Sequence, residues 1–113
     1  MLVATLKKNR EFKQVYSSGK SIASPYLVLY WYSNNKEKNR YGFSISKKIG
    51  KAVVRNKLKR RLKEIIRLKE EKICIGYDII IIARKPINKL DFQKLKKDLI
   101  KLYKKAGIWC HEI

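Results

Sequence analysis

A single α+β domain is the fold this sequence predicts, and three observations predict it. Two segments, Tyr26–Tyr32 (YLVLYWY) and Tyr77–Arg84 (YDIIIIAR), are aromatic and β-branched enough to be strands. Apolar residues recur at helical spacing over residues 52–69 and again from Asp91 onward. With 45% apolar residues, the chain of 113 can build one core, and it has no internal repeat or low-complexity linker. The domain is therefore expected to span residues 1–113.

In chain order, the first element is a short helix opening near Leu6, with Asn9 as its cap and Phe12, Val15 and Tyr16 on one face. Ser17-Ser18-Gly19 stops it. Tyr26–Tyr32 is the first clear strand, and the polar run SNNKEKN turns the chain into a second, Tyr41–Ser46, so the two are expected to pair as a hairpin. A basic helix follows over Ala52–Lys69. Gly76 breaks the chain, and Tyr77–Arg84 is a continuous apolar strand of the kind buried on both faces. After Pro86, Asp91 opens a last helix with Phe92, Leu95, Leu99, Leu102, Tyr103 and Ala106 on one side, closed by Gly107.

Charge narrows the function. Lys and Arg number 29 against 9 acids, a formal charge of +20. Such self-repulsion is tolerated where the working partner is a polyanion. Nine of the seventeen residues from Lys47 to Lys63 are Lys or Arg, with no acid among them. At 100° per residue, Val54, Leu58, Leu62 and Ile65 share one face of the basic helix, with Leu68 at its edge. Opposite lie Asn56, Lys59, Arg60, Lys63 and Arg67. Cations suit phosphates, a guanidinium makes bidentate contacts, and an Asn amide can both donate and accept at a base or sugar edge. An ordinary solvated face mixes signs to form i,i+4 pairs, whereas here only Glu64 interrupts the cations before Glu70. Nucleic acid is the partner this favours. No apolar run approaches the roughly 20 residues of a membrane span, and the N-terminus lacks a secretory apolar region. A membrane-surface protein would share the charge but not the strands Tyr26–Tyr32 and Tyr77–Arg84.

Alternation in YLVLYWY puts Leu27, Leu29 and Trp31 on the core side and Tyr26, Val28, Tyr30 and Tyr32 on the other. A tyrosine-rich sheet face can stack unpaired bases. Phe12 and Tyr16 either wall the same groove or pack the first helix onto the sheet; helical aromatic pairs ordinarily do the latter. Side-chain catalysis is not expected, because an acid–base pair needs more than the single His111, and the nine acids are scattered. Trp109-Cys110-His111 falls short of a zinc ligand set, so no metal site is expected in the protein. Cys74 and Cys110 lack redox or zinc spacing and read as packing thiols in a reducing cytoplasm.

Ala52-Val53-Val54-Arg55-Asn56-Lys57-Leu58-Lys59-Arg60, preceded by Ser44-Ile45-Ser46-Lys47-Lys48-Ile49-Gly50-Lys51, resembles the arginine-asparagine-arginine signature of the protein subunit of bacterial ribonuclease P. The resemblance extends along nearly the whole chain, through LKKNREFKQVY, GKS, YLVLY and IIIIARKP. Lys57 and Lys63 stand where many relatives carry Arg, which keeps charge but weakens planar contacts. The resemblance implies an α-β-β-β-α-β-α two-layer sandwich with a left-handed crossover around the basic helix. Its third strand would be either Ser44–Lys48 or a short strand near Ser21–Ala23. It also implies a cytoplasmic ribonucleoprotein that removes the 5′ leader of precursor tRNA, with catalysis and Mg²⁺ belonging to the RNA subunit. Lys47, Lys48, Lys51, Arg55, Asn56, Lys59, Arg60, Lys63 and Arg67 would then bind that RNA, and Phe12, Tyr16, Val28 and Tyr30 match a cleft for the single-stranded leader. A small basic ribosomal or ribosome-assembly protein is the alternative, and it offers no reason for a tyrosine-faced groove.

Overall fold

The computed structural model describes residues 3–110. Helix α1 spans Asn9–Ser18, and strands β1 (Lys20–Ala23), β2 (Leu27–Ser33) and β3 (Arg40–Ser44) follow. Helix α2 (Ala52–Lys69), strand β4 (Tyr77–Ala83) and helix α3 (Phe92–Ala106) complete the order. The third strand is thus the Lys20–Ala23 segment, and β3 ends before Ser46. Its four mostly exposed residues give β1 almost no sequence signal.

The expected hairpin does not form. The sheet order is β1-β2-β4-β3, so β4 lies between the two strands expected to pair, antiparallel to β2 and parallel to β3. The hairpin is instead β1–β2, in register from Lys20–Trp31 to Ala23–Val28. Burial decides this: Ile79, Ile80 and Ile81 are fully buried, so β4 needs a strand on each side and cover above and below. An edge position would leave it half-solvated.

One sheet face carries the main core. Leu27 and Leu29 from β2 and Ile79 and Ile81 from β4 meet Leu58, Leu62 and Ile65 from α2 and Leu95, Leu99 and Leu102 from α3. The alternation read from YLVLYWY is the observed one, Leu27 and Leu29 being buried and Trp31 packed against the same cluster. On α2, Ile66 is also buried, whereas Val54 and Leu68 are largely exposed, so the apolar stripe is rotated slightly from its expected centre. Helix α1 crosses part of the other face, where Leu6, Val15 and Ile80 form a second small core.

The helix ends follow local chemistry. Asp91 caps α3 by accepting from the Lys94 N–H at 2.8 Å, and Gly107 closes it in the left-handed region at φ 79°. Asn9 does not cap α1 but is its first residue. The Glu11 carboxylate does that work, its Oε1 accepting from the backbone N–H groups of Lys7 at 3.0 Å and Lys8 at 2.9 Å.

The reading of Cys74 and Cys110 as separate thiols is overturned: the two form a disulfide, with Cα atoms 5.0 Å apart. An antiparallel bridge between Ile73 and Trp109, with Cys74 N–H donating to the Ile108 carbonyl at 2.7 Å, brings the two cysteines side by side. A sequence separation of 36 conceals that juxtaposition. The expectation about His111 falls outside the described residues.

Candidate nucleic-acid interface

The sheet face under α1 is built in rows across the strands. Tyr32, Asp78 and Arg40 form one row, Tyr30, Ile80 and Gly42 the next, and Val28, Ile82 and Ser44 the third. Phe12 on α1 lies directly over Gly42: a Cβ there would come within 2.5 Å of the ring. Only glycine gives the aromatic ring room to lie on the sheet. Tyr16, one turn further along α1, meets Tyr30 edge-on with ring centroids 5.0 Å apart. Phe12, Tyr16, Val28 and Tyr30, named from sequence, therefore lie together on one face of the sheet.

Their roles in that face differ. Phe12 and Tyr30 pack against the Leu6–Val15–Ile80 core, so they support the helix as well as line the cleft. Tyr16 remains 41% exposed. Its phenol is pushed above its ordinary pKa, mainly by desolvation and against a hydrogen bond with Ser44, so it presents a neutral ring and hydroxyl to the cleft. Half-buried Ile82 and Ser44 complete the floor. The period-2 pattern of β4 carries Ile82, but its place beside Val28 depends on the strand order.

The geometry of α1 rests on charges that the sequence reading missed. Arg40 donates from Nη1 to Glu11 Oε2 at 2.6 Å and from Nε and Nη2 to the two oxygens of buried Asp78 at 2.8 and 2.7 Å. Asn34 adds a 2.9 Å hydrogen bond to Asp78. Glu11 is held at a pKa of about 2, first by the Lys8 and Lys7 N–H groups and then by Arg40. No local signal links residues 11, 40 and 78.

A second surface surrounds α2. Lys47 and Lys48 are exposed on a short 3-10 turn, Lys47–Ile49, anchored by buried Ile49, whose carbonyl accepts from Asn88 Nδ2 at 2.6 Å. Lys51, Asn56, Lys59 and Arg60 are exposed along the start and outer side of the helix. Lys63 leans over the Phe43 ring, Nζ 5.9 Å from its centroid, so it flanks the β3 edge rather than pointing straight outward. Arg55 is half-buried, and its Nε is buried without a hydrogen-bond partner among the described residues. Arg67 is ion-paired with Glu64, which holds the Glu64 pKa down and reduces the cation offered there. The cationic face is thus graded, strongest from Lys47 to Arg60.

Among the described residues, no three His, Cys, Asp or Glu side chains come together as metal ligands. Glu11 and Asp78 are committed to Arg40, Glu64 to Arg67, and Asp98 accepts from Ser24 Oγ at 2.6 Å. No helix among the described residues is long and apolar enough to cross a membrane.

Known proteins share this arrangement. The family model for ribonuclease P matches residues 3–107. The ribonuclease P protein component of Caldanaerobacter subterraneus subsp. tengcongensis is 47% identical over 104 residues, covering 92% of this chain and 90% of its own. That of Clostridium kluyveri is 47% identical over 111 residues, covering 96% and 99%. Among solved structures, the Staphylococcus aureus RNase P protein superposes with a TM-score of 0.88 at 34% identity, covering 95% of this chain and 98% of that one. The Thermotoga maritima RNase P protein gives 0.83 at 34% identity, covering 89% and 96%. Sequence and fold agree over nearly all of the chain, and the chain belongs to the ribonuclease P protein family, as the protein subunit of that endoribonuclease.

Proposed function

We propose that the two surfaces divide the RNA between them: the cation surface from Lys47 through α2 holds the catalytic RNA, and the cleft under α1 holds the single-stranded 5′ leader of precursor tRNA. The observation that carries this is the cleft's composition. Phe12, Tyr16, Val28 and Tyr30 offer aromatic rings and an apolar floor, which suits stacking of unpaired nucleotides. On the other surface, Lys47, Lys48, Lys51, Lys59 and Lys63 supply point charges for phosphates, Arg55 and Arg60 planar donors, and Asn56 an amide. Arg67 contributes least, because Glu64 already pairs it.

Chemistry at the scissile phosphate belongs to the RNA subunit in this reading, with Mg²⁺ held there. The protein's carboxylates support that division, since those nearest the cleft are tied up in ion pairs and form no ligand set. The cytoplasm, where precursor tRNA is made, is the proposed site of work. A ribosomal role has no use for the aromatic cleft and is not favoured by the relatives.

Tyr16→Ala tests the cleft, because this ring is exposed and its removal spares the core. Holoenzyme affinity for precursor tRNA should fall by about 1–3 kcal/mol, the range for one base–aromatic stack, with mature tRNA unaffected. Equal losses on both substrates, or none on either, would remove the leader from the cleft.

A further inference from the structure

The outward face of α3 carries a lysine stripe that neither surface above uses. Lys94, Lys97, Lys101 and Lys105 are exposed on successive turns. At 1.5 Å per residue the stripe is about 16 Å long. The acids of this helix are turned elsewhere, Asp91 to the Lys94 N–H and Asp98 to Ser24 on the turn between β1 and β2.

Folding does not ask for these lysines. Leu95, Leu99, Leu102 and Tyr103 already anchor the opposite side of the helix, and neutral polar residues would solvate the outer face equally well. Helix electrostatics oppose part of the stripe. The first turn of α3 contains no acid and places Lys94 near the positive end of the macrodipole, where a cation is disfavoured. Lys97, Lys101 and Lys105 repeat at i,i+4, the spacing at which like charges repel. Like-charge repulsion along the stripe fits an external polyanion.

The form of the surface selects the kind of polyanion. It lies on a convex helix and contains lysine without arginine, so it offers point charges to phosphates rather than forks or stacking platforms to bases. Helix α3 packs on the sheet face opposite α1, so RNA lying on it is a different segment from RNA in the cleft. It sits beside α2 on that face, so the RNA within its reach is the one α2 is read to hold.

We propose that Lys94, Lys97, Lys101 and Lys105 form a sequence-independent phosphate-binding stripe for a helical segment of the RNA subunit, adding to the interface of α2. The proposal rests on the reading that α2 binds RNA and adds a second helix to that interface. The test is a charge-reversed protein, Lys97→Glu with Lys101→Glu and Lys105→Glu, beside the matching Lys→Gln protein, both checked for unchanged melting. Affinity is measured across a salt series for the RNA subunit, for mature tRNA, for a single-stranded leader oligonucleotide and for phosphatidylglycerol vesicles.

The log–log salt slope should fall by about two to three, one for each phosphate no longer neutralised, with affinity down roughly tenfold or more near 0.1 M salt. The loss should occur with the RNA subunit, and the Gln protein should show a smaller loss of the same kind. Leader binding should be unchanged. An unaltered slope for the RNA subunit, or a loss confined to mature tRNA or to vesicles, would overturn the proposal. If the unaltered protein itself bound neither structured RNA in a salt-dependent way, the reading of α2 would fall first.

Discussion

Arg40 grips Asp78 through two parallel hydrogen bonds, Nε to Oδ1 at 2.8 Å and Nη2 to Oδ2 at 2.7 Å. Its remaining nitrogen, Nη1, reaches Glu11 on α1 at 2.6 Å. One guanidinium thereby fastens the helix that carries Phe12 and Tyr16 to the sheet that carries Val28 and Tyr30.

Removing the guanidinium strands a carboxylate. Asp78 is only 4% exposed, and in Arg40→Met it keeps Asn34 but loses its counter-charge. Stability measured by urea denaturation should drop by about 3 kcal/mol, the lower end for breaking a buried ion pair. Arg40→Lys should recover less than half, since an ammonium cannot make both parallel bonds.

Acid should loosen the same joint. Folding depresses the Glu11 pKa from its ordinary value of 4.5 to about 2, so its contribution is fully present above pH 4.5 and disappears as the pH falls to about 2. Wild type should lose stability across that window more steeply than Glu11→Gln, and the two curves should approach each other near pH 2. Parallel curves would mean that the carboxylate is not charged and bonded as described.

Gly42 sets the height of the cleft. In Gly42→Val the new side chain must push the Phe12 ring from its place, because even a Cβ would lie 2.5 Å from Cε1. Overpacking of this kind costs about 1–3 kcal/mol in stability. Precursor tRNA affinity should fall more than mature tRNA affinity, since the displaced ring belongs to the cleft. Binding assays on a variant shown to remain folded would check this.

The Cys74–Cys110 bond closes a long loop, with a sequence separation of 36. Reduction with dithiothreitol, or Cys110→Ser, should lower stability by about 2–4 kcal/mol on the chain-entropy account. Thiol titration of the oxidised, denatured protein should find no free cysteine from this pair. Cleavage activity should survive reduction, because the bond lies away from the cleft residues.

What the sequence determined by itself is local. The limits of α2, the Asp91 cap and Gly107 stop of α3, and the inward set Leu27, Leu29 and Trp31 all follow from capping chemistry and periodicity within a few residues. The signature around Arg55 and Asn56 was likewise legible, because its residues stand side by side in the chain. What only the tertiary structure decided is long-range. Strand β4 separates β2 from β3 because its two apolar faces both need cover, a condition set by the whole sheet. The Arg40 clamp, the fit of Phe12 over Gly42 and the Cys74–Cys110 bond join residues 29 to 38 positions apart, and no periodic pattern encodes such meetings. They arise only when the strand order places the partners in one row, since ion pairs and ring contacts act over a few ångströms in space, however far apart the residues stand in the chain.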